Sequence, residues 1–219
     1  MYKFNQEQFD LLFEILQIRS YSQTPAEHEK IEFLQNWIEQ NIENIVFEKD
    51  KFGNLYVTKG QSDIYPCFVA HVDINQDKID NFTIYWGDGY IFGMDNKEMV
   101  QCGLGADDGC GVMLNLLALQ KFDNVKCFFS LSEEVGCIGS KNSNIDFFKD
   151  CSFLIQGDRN SYNRDVSYYT NGVIVVSDEF QNKSLPTLKK YGYEYQRCVF
   201  TDIGTLVDKG CGCCAINFS

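Results

Sequence analysis

The sequence contains little histidine, proline or positive charge, and it has no long apolar run. There are 2 His and 3 Pro, and 19 Lys and Arg stand against 31 Asp and Glu, for a formal net charge of −12. Nucleic acid and anionic membranes both attract basic surfaces, so this balance argues against either as the main partner. No apolar stretch approaches the length of a membrane span, and Met1–Gln6 lacks the apolar core of a signal peptide. We therefore expect a cytoplasmic protein.

Composition and length favour a folded chain with one core. Apolar residues make up 44% of the 219 residues and aromatic residues 15%, which allows a sizeable core and argues against global disorder. No repeat or linker-like composition interrupts the chain, so we expect a single domain over residues 1–219.

Hydrophobic periodicity predicts alternating strands and helices, and hence an α/β fold. The predicted helices lie at about Asn5–Arg19, around Ile31, Leu34 and Ile38, from Gly109 onward, and near Ser184–Tyr191. The predicted strands are Ile45–Glu48, Leu55–Thr58, Tyr65–Ala70, Phe82–Trp86, Tyr90–Phe92, Val125–Leu131, Ser152–Ile155, Val166–Tyr169, Val173–Val176 and Cys213–Phe218. Gly87-Asp88-Gly89 predicts a hairpin turn between two of these strands.

The 10 cysteines are scattered, except for a cluster at Cys211, Cys213 and Cys214. Without a secretory signal, free and mostly buried thiols are favoured over disulfides. The cluster has two interpretations. It is either a soft-metal site, for which a single C-x-C-C is weak evidence, or a run of small residues on a tightly packed strand.

Four short acidic motifs, each after an apolar run, carry most of the functional information. They are His71-Val72-Asp73, Gly105-Ala106-Asp107-Asp108-Gly109, Ser132-Glu133-Glu134-Val135-Gly136 and Gln156-Gly157-Asp158. Carboxyl ends of strands line the ligand crevice of an open α/β sheet, so these side chains are expected to converge. Five carboxylates beside one imidazole repel one another unless protons or cations neutralise them. The sequence therefore predicts a divalent metal site.

Each motif also has an ordinary structural interpretation. His71 alone could cap a strand end, an Asp before a helix is a common N-cap, and an isolated Glu-Glu pair usually lies in a solvated loop. The functional interpretation assigns His71 as a ligand whose tautomer Asp73 fixes, and Asp107 as a carboxylate able to bridge two metals. Of Glu133 and Glu134, one would bind metal and the other would act as general base.

With these motifs the chain resembles the co-catalytic zinc exopeptidases, a group that includes peptidase T, carboxypeptidase G, bacterial dipeptidases and related aminopeptidases. The shared pattern is H-x-D, G-x-x-D-(D/N/M), E-E-x-G, a strand-end acid and a final His. The match spans roughly Leu55 to Asp158, and Gly103–Gly109 is especially similar to peptidase T. The resemblance implies a three-layer α/β/α sandwich with a mixed, mostly parallel central sheet.

The resemblance also implies a role for each matched residue. His71 and Asp158 would bind one zinc, Asp107 would bridge, and Glu134 would bind the second metal. Glu133 would be the general base and Asp73 would orient His71. A cis peptide after the bridging Asp107 is expected as well. Zn²⁺ is implied by the resemblance, while carboxylate-rich coordination leaves Co²⁺ or Mn²⁺ open.

Two departures from the family pattern are visible. Only 61 residues follow Asp158, too few for the inserted lid or dimerisation domain of the peptidase T type, so a bare catalytic domain is expected. The family's last His does not follow the strand ending near Ser219, and His28 lies on an early helix. One metal position is then complete and the second lacks a ligand. A truncated chain, a natural short form with one firmly bound metal, and a degenerate homologue all stay open.

The predicted function is that of a metal-dependent exopeptidase, of the aminopeptidase or di/tripeptidase type, acting on short peptides. Two alternatives remain open: a catalytically silent scaffold that retains one metal, and an amidohydrolase of N-acyl amino acids. Side-chain preference and oligomeric state do not follow from the sequence.

Overall fold

The computed structural model describes residues 4–159, 164–170, 172–197 and 200–219. Within these ranges the α-helices are α1 (Gln6–Gln17), α2 (Pro25–Asn41), α3 (Ala106–Lys121), α4 (Ile138–Asn142), α5 (Asp178–Lys190) and α6 (Asp202–Asp208). A short 3-10 helix covers Ile145–Phe148. No helix in the described part of the chain has both the length and the apolarity needed to cross a bilayer.

A six-stranded sheet forms the centre of the fold. In spatial order its strands are β1 (Ile45–Lys49), β2 (Leu55–Lys59), β7 (Val125–Ser130), β3 (Tyr65–His71), β8 (Cys151–Gln156) and β12 (Cys214–Asn217). The first two pairings are antiparallel and the other three are parallel. The α/β fold with a mixed, mostly parallel central sheet is therefore confirmed.

Two smaller sheets flank this centre. One consists of β4 (Phe82–Gly87), β5 (Tyr90–Asp95) and β6 (Val100–Cys102), and the other of β9 (Asp165–Thr170), β10 (Val173–Ile174) and β11 (Glu194–Arg197). The predicted hairpin between β4 and β5 is confirmed. Its turn residues Asp88 and Gly89 both have positive φ, as a two-residue type I′ turn requires.

Apolar residues line both faces of the central sheet, because successive strand residues point to opposite sides. Leu55 and Val57 pack with α1, α2 and α3 in one hydrophobic cluster, whereas Tyr56 between them packs in a second cluster with α6 and the 3-10 helix. The same alternation holds along β3 and β7. The continuous apolar runs that predicted central strands are thus explained by burial on both faces.

Several boundaries differ from the sequence-based expectations. The helix expected near Ser184 begins at Asp178, because the Ser177 side chain caps it by accepting a hydrogen bond from the Phe180 N–H at 3.1 Å. The strand predicted through Val176 ends at Ile174. Helix α3 includes Ala106, but Asp107 and Asp108 have non-helical backbone angles, so regular helix starts at Gly109, as predicted. Five elements were not predicted: β6, α4, the 3-10 helix, β11 and α6.

Candidate active site

His71 is the last residue of β3, and its buried imidazole is only 1% exposed. Its Nδ1 lies 3.0 Å from the Asp73 carbonyl oxygen and 3.4 Å from Asp73 Oδ1. With its proton on Nδ1, the ring donates to this carbonyl and leaves the Nε2 lone pair free. A second hydrogen bond that fixes the tautomer is the usual arrangement for a metal-binding histidine.

Three carboxylates surround the free side of this ring. His71 Nε2 lies 3.1 Å from Asp107 Oδ1, 3.8 Å from Asp158 Oδ1 and 3.9 Å from Glu133 Oε2. These acids come from three separate segments: the start of α3, the residues after β8 and the loop after β7. Because β3, β7 and β8 run parallel, their carboxyl ends meet at one edge of the sheet.

The geometry of His71, Asp107 and Asp158 fits a divalent cation. Each offers one ligand atom, and these atoms all lie within 4.8 Å of one another. Ligands at zinc–ligand distances of about 2.1 Å in a tetrahedron are separated by about 3.4 Å. The distances from His71 Nε2 of 3.1 Å to Asp107 and 3.8 Å to Asp158 bracket that value. In the described part of the chain this group does not include Glu134, whose role as a ligand stays a prediction.

Asp107 is held by an unusual backbone at the start of α3. Gly105 precedes it with φ +79°, and the Asp107–Asp108 peptide is cis, as the family resemblance implied. The next carboxylate, Asp108, points inward and accepts hydrogen bonds from the His71 N–H at 3.2 Å and the Gly111 N–H at 3.0 Å. The two neighbouring acids therefore have different roles. Asp107 faces the cluster, while Asp108 ties the end of β3 to α3.

Glu133 and Glu134 lie in a turn that starts at the end of β7. Ser132 has φ +54°, and the N–H groups of Gly136 and Cys137 donate to the Glu133 carbonyl at 2.9 and 2.7 Å. In an extended strand two adjacent side chains point apart, so the turn is what allows Glu133 and Glu134 to lie on the same side, towards His71. Glu133 is buried, at 4% exposure, whereas Glu134 is half-buried.

Asp158 is positioned by a residue that the sequence reasoning did not identify. Asn217, at the end of β12, accepts a hydrogen bond from the Asp158 N–H and donates one to its carbonyl, both at 2.8 Å. The signal was present, because this residue lies in the last predicted strand, Cys213–Phe218. Only the parallel pairing of β12 with β8 shows that Asn217 lies beside Asp158.

Asp202, at the start of α6, is a further buried acid near the site. It accepts hydrogen bonds from the hydroxyls of Ser130 and Ser140, and it is 0% exposed. These contacts place Asp202 under the loop that carries Glu133, because Ser130 ends β7 just before that loop.

Helix α2 adds two buried charged residues, Glu27 and Lys30. Glu27 accepts hydrogen bonds from the Ser132 N–H at 2.6 Å and the Ser132 hydroxyl at 3.0 Å. Lys30 is 1% exposed, and burial lowers its pKa to about 8, although the charges of Asp108 and Asp73 act in the opposite direction. The apolar stripe of α2 was predicted correctly. The sequence did not predict that these two polar residues of the same helix are also buried.

The electrostatics show a site with an excess of negative charge. Burial raises the pKa of Glu133 to about 9 and that of Asp158 to about 6, and nearby acids add to both effects. Burial alone would lower the pKa of His71, yet its hydrogen bonds to Asp107, Asp158 and Asp73 raise that pKa well above its usual value. Such a cluster holds protons or a cation, as expected for mutually repelling carboxylates.

Comparison with solved structures identifies the fold. The Pyrococcus horikoshii TET1 peptidase shares 16% identity, with 97% of this chain and 90% of that chain covered and a TM-score of 0.61. Aminopeptidase PepT from Bacillus cereus shares 19% identity at the same TM-score, with 75% and 46% covered. A Staphylococcus aureus tripeptidase shares 21% identity at a TM-score of 0.59, with 74% and 46% covered.

The chain therefore has the fold of these peptidases, as the motif resemblance implied, and it spans about half the length of the PepT and tripeptidase chains. No protein-family model matches the sequence, and no curated protein sequence matches it significantly.

Proposed function

We propose that the chain is a metal-dependent exopeptidase of the aminopeptidase or di/tripeptidase type. The observation that carries this proposal is the meeting of His71, Asp107 and Asp158 at ligand-like distances with the Glu133 carboxylate at their edge. The fold shared with solved structures named as aminopeptidases and a tripeptidase supports the same activity. Catalysis would sit at the carboxyl edge of the central sheet.

The metal in this proposal is zinc, with cobalt or manganese as alternatives. His71, Asp107 and Asp158 would hold one ion, and Glu134 would contribute to a second position. A divalent cation held there would polarise the scissile carbonyl and lower the pKa of a water molecule towards about 7. Neutral imidazole and carboxylate oxygens suit zinc, and the carboxylate share also suits harder ions.

Glu133 is the general base in this proposal. Its Oε2 faces His71, and its Oε1 accepts a hydrogen bond from the Cys137 thiol at 3.5 Å, so the carboxylate is fixed from both sides. With a cation held beside it, which favours the ionised carboxylate over the protonated acid, it would take a proton from the attacking water and later give one to the leaving amine. Asp73 would keep His71 in the tautomer that leaves Nε2 free. The half-buried Glu134 could also attract the free amino group of a peptide substrate.

The extent of the catalytic unit belongs to the same proposal. The TET1 peptidase is covered over 90% of its length, whereas PepT and the tripeptidase are covered over 46% of theirs. A single catalytic domain over residues 1–219 is the proposed unit, and the coverage of the TET1 peptidase chain supports it. Short peptides are the proposed substrates, and cytoplasmic location remains the expectation from the sequence.

Hydrolysis of aminoacyl anilides and of di- and tripeptides with added zinc or cobalt tests the proposal. We expect turnover by the unsubstituted chain and a loss of about 100-fold or more in kcat for Glu133→Gln, which keeps the shape of the side chain but not its basicity. The control is Glu48→Gln, at an exposed position on β1. Equally low rates for all three proteins, with zinc still bound, would support the silent scaffold instead.

A further inference from the structure

The loop between α6 and β12 carries two cysteines whose sulfur atoms are in contact. Cys211 Sγ and Cys213 Sγ lie 3.7 Å apart, with the Cys213 thiol donating to the Cys211 sulfur. The Cys211 thiol points back to the Cys213 carbonyl oxygen at 3.6 Å. Both side chains therefore turn to the same side of this short C-G-C segment, although a single residue separates them.

The backbone around these sulfur atoms is open to solvent. Gly210 and Gly212 are exposed and have φ of +85° and +81°, and a Cβ atom added to either would meet nothing within 4 Å. Cys213 is partly exposed, while Cys211 is 1% exposed. Solvent therefore reaches the pair on the side of Cys213, beside the exposed Gly212.

We propose that Cys211 and Cys213 form a reversible dithiol–disulfide pair that hydrogen peroxide oxidises. The Cys211 thiolate attacks the peroxide, so that an S–O bond forms, the O–O bond breaks and hydroxide leaves. The Cys213 thiol then attacks the sulfenic sulfur: the S–S bond forms, the S–O bond breaks, and water leaves with the Cys213 proton. The hydroxide takes up the proton that the Cys211 thiol lost on ionisation, so the two sulfur atoms lose two electrons in total and reduce one hydrogen peroxide to two waters.

Geometry and chemistry both support the pair. A disulfide needs its sulfur atoms to approach from 3.7 Å to about 2.05 Å, a change that side-chain rotation in a glycine-flanked loop can supply. The hydrogen bond from Cys213 lowers the pKa of Cys211 to about 7, so a large fraction of Cys211 is thiolate near neutral pH.

A metal site at these two thiols is less well supported. A soft metal ion would need further ligands, and in the part of the chain that the structure describes the three-ligand group is the one at His71, not one at these thiols.

The position of the pair connects it to the candidate active site. Strand β12 begins directly after Cys213 and ends at Asn217, which holds the backbone of Asp158 through two hydrogen bonds. Helix α6 ends just before the loop and begins at the buried Asp202. Oxidation would therefore restrain a loop between two elements that reach the site. The oxidation itself does not depend on the proposed peptidase function.

Thiol mapping by mass spectrometry tests the proposal directly. The Cys214→Ser chain is treated with one equivalent of hydrogen peroxide, its free thiols are alkylated, and it is cleaved with trypsin. Cleavage after Lys209 gives the peptide of residues 210–219, in which Cys211 and Cys213 are then the sole cysteines. We expect this peptide to be unalkylated and lighter by two hydrogen atoms, and treatment with dithiothreitol before alkylation to restore two modified cysteines.

Two comparisons make the outcome decisive. In the unsubstituted chain, fragmentation of the same peptide should show alkylation at Cys214 alone. Cys127 serves as an internal reference, because it is 0% exposed and burial raises its pKa well above the usual value, so it should react at least about tenfold more slowly. Alkylation of both Cys211 and Cys213 after peroxide, or a disulfide from either of them to another cysteine, would overturn the proposal.

Discussion

The Asp73 carboxylate accepts two backbone hydrogen bonds, from the Glu133 N–H to Oδ1 at 2.9 Å and from the Glu134 N–H to Oδ2 at 3.2 Å. Asp73 thus positions the ring of His71 through its carbonyl oxygen, and its buried carboxylate positions the loop that bears the proposed general base. The link joins residues about 60 positions apart in sequence. It connects the acid of the His71-Val72-Asp73 motif directly to the two acids of the Ser132–Gly136 motif.

The first prediction concerns this link. Asp73→Asn removes the negative charge and replaces one acceptor oxygen with an NH₂ group, so one of the two N–H donors loses its partner. We expect zinc affinity to fall by about 10- to 100-fold, as for other residues that orient a ligand. Competition with a chelator of known affinity measures the change. Asp77→Asn, the same substitution at an exposed position, should leave affinity unchanged, and an unchanged affinity for both variants would contradict this role.

The second prediction concerns the close approach of Gly111 to Asp108. A Cβ at residue 111 would lie 2.1 Å from Asp108 Oδ1, so Gly111→Ala must displace the carboxylate that accepts the His71 N–H. We expect a loss of about 2 kcal/mol or more in the free energy of unfolding, measured by urea denaturation, since buried donors lose their partner. Gly87→Ala, where nothing lies within 4 Å, is the control. Equal stability of the two variants would show that the Asp108 contact is dispensable.

The third prediction concerns the thiol behind Glu133. Cys137→Ala removes the donor to Glu133 Oε1, and we expect kcat on an aminoacyl anilide to fall by about 3- to 10-fold with little change in KM. Cys137→Ser keeps a hydroxyl donor and should recover most of the rate. If Ala and Ser lower kcat equally, the hydrogen bond does not position the carboxylate.

The fourth prediction uses the buried ammonium group of Lys30. Its pKa is about 8 in the folded chain, against 10.5 for an unperturbed lysine, so between these values the unfolded chain binds more protons and stability rises with pH. Below pH 8 the full cost of burying the charge is present, about 3 kcal/mol from the size of the shift. We expect chelator-treated Lys30→Met to be more stable than the unsubstituted chain at pH 7.

The pH dependence provides the check on this assignment. The stability difference should shrink when urea denaturation is repeated near pH 10, because unsubstituted Lys30 then releases its proton on folding. Lys78→Met, at an exposed side chain, should match the unsubstituted chain at both pH values. A Lys30→Met chain that is less stable than the unsubstituted one at pH 7 would show that attraction to Asp73 and Asp108 outweighs burial.

Much of the fold was predictable because its central strands are buried on both faces. Runs such as Tyr65–His71 and Val125–Ser130 are apolar without alternation, and each ends at a polar motif. The elements that were missed lack a periodic signal. Strand β11 (Glu194–Arg197) consists mostly of exposed polar residues at the edge of its sheet, and α6 is a seven-residue helix that is buried nearly throughout.

The residues at the centre of the candidate site were predictable from the sequence, and the residues that support them were not. Motif order and strand ends identified residues that the structure brings together, including His71 and Asp158. The supporting residues were not found, because buried Glu27 and Lys30 have the composition of a solvated helix face and Asn217 is one amide at a strand end. Their roles depend on which element packs against which, and no local pattern encodes that packing.

Zinc titration of reduced protein tests the central claim most directly. Calorimetry would compare three proteins that all carry Cys211→Ser, so that the C-G-C thiols do not compete for the ion. The first has no other substitution and is called unsubstituted here, the second adds His71→Asn and the third adds His28→Asn. We expect the unsubstituted and His28→Asn proteins to bind zinc with the same Kd, and His71→Asn to bind it at least about 100-fold more weakly. Equal zinc binding by all three proteins would contradict a metal centre at His71, Asp107 and Asp158.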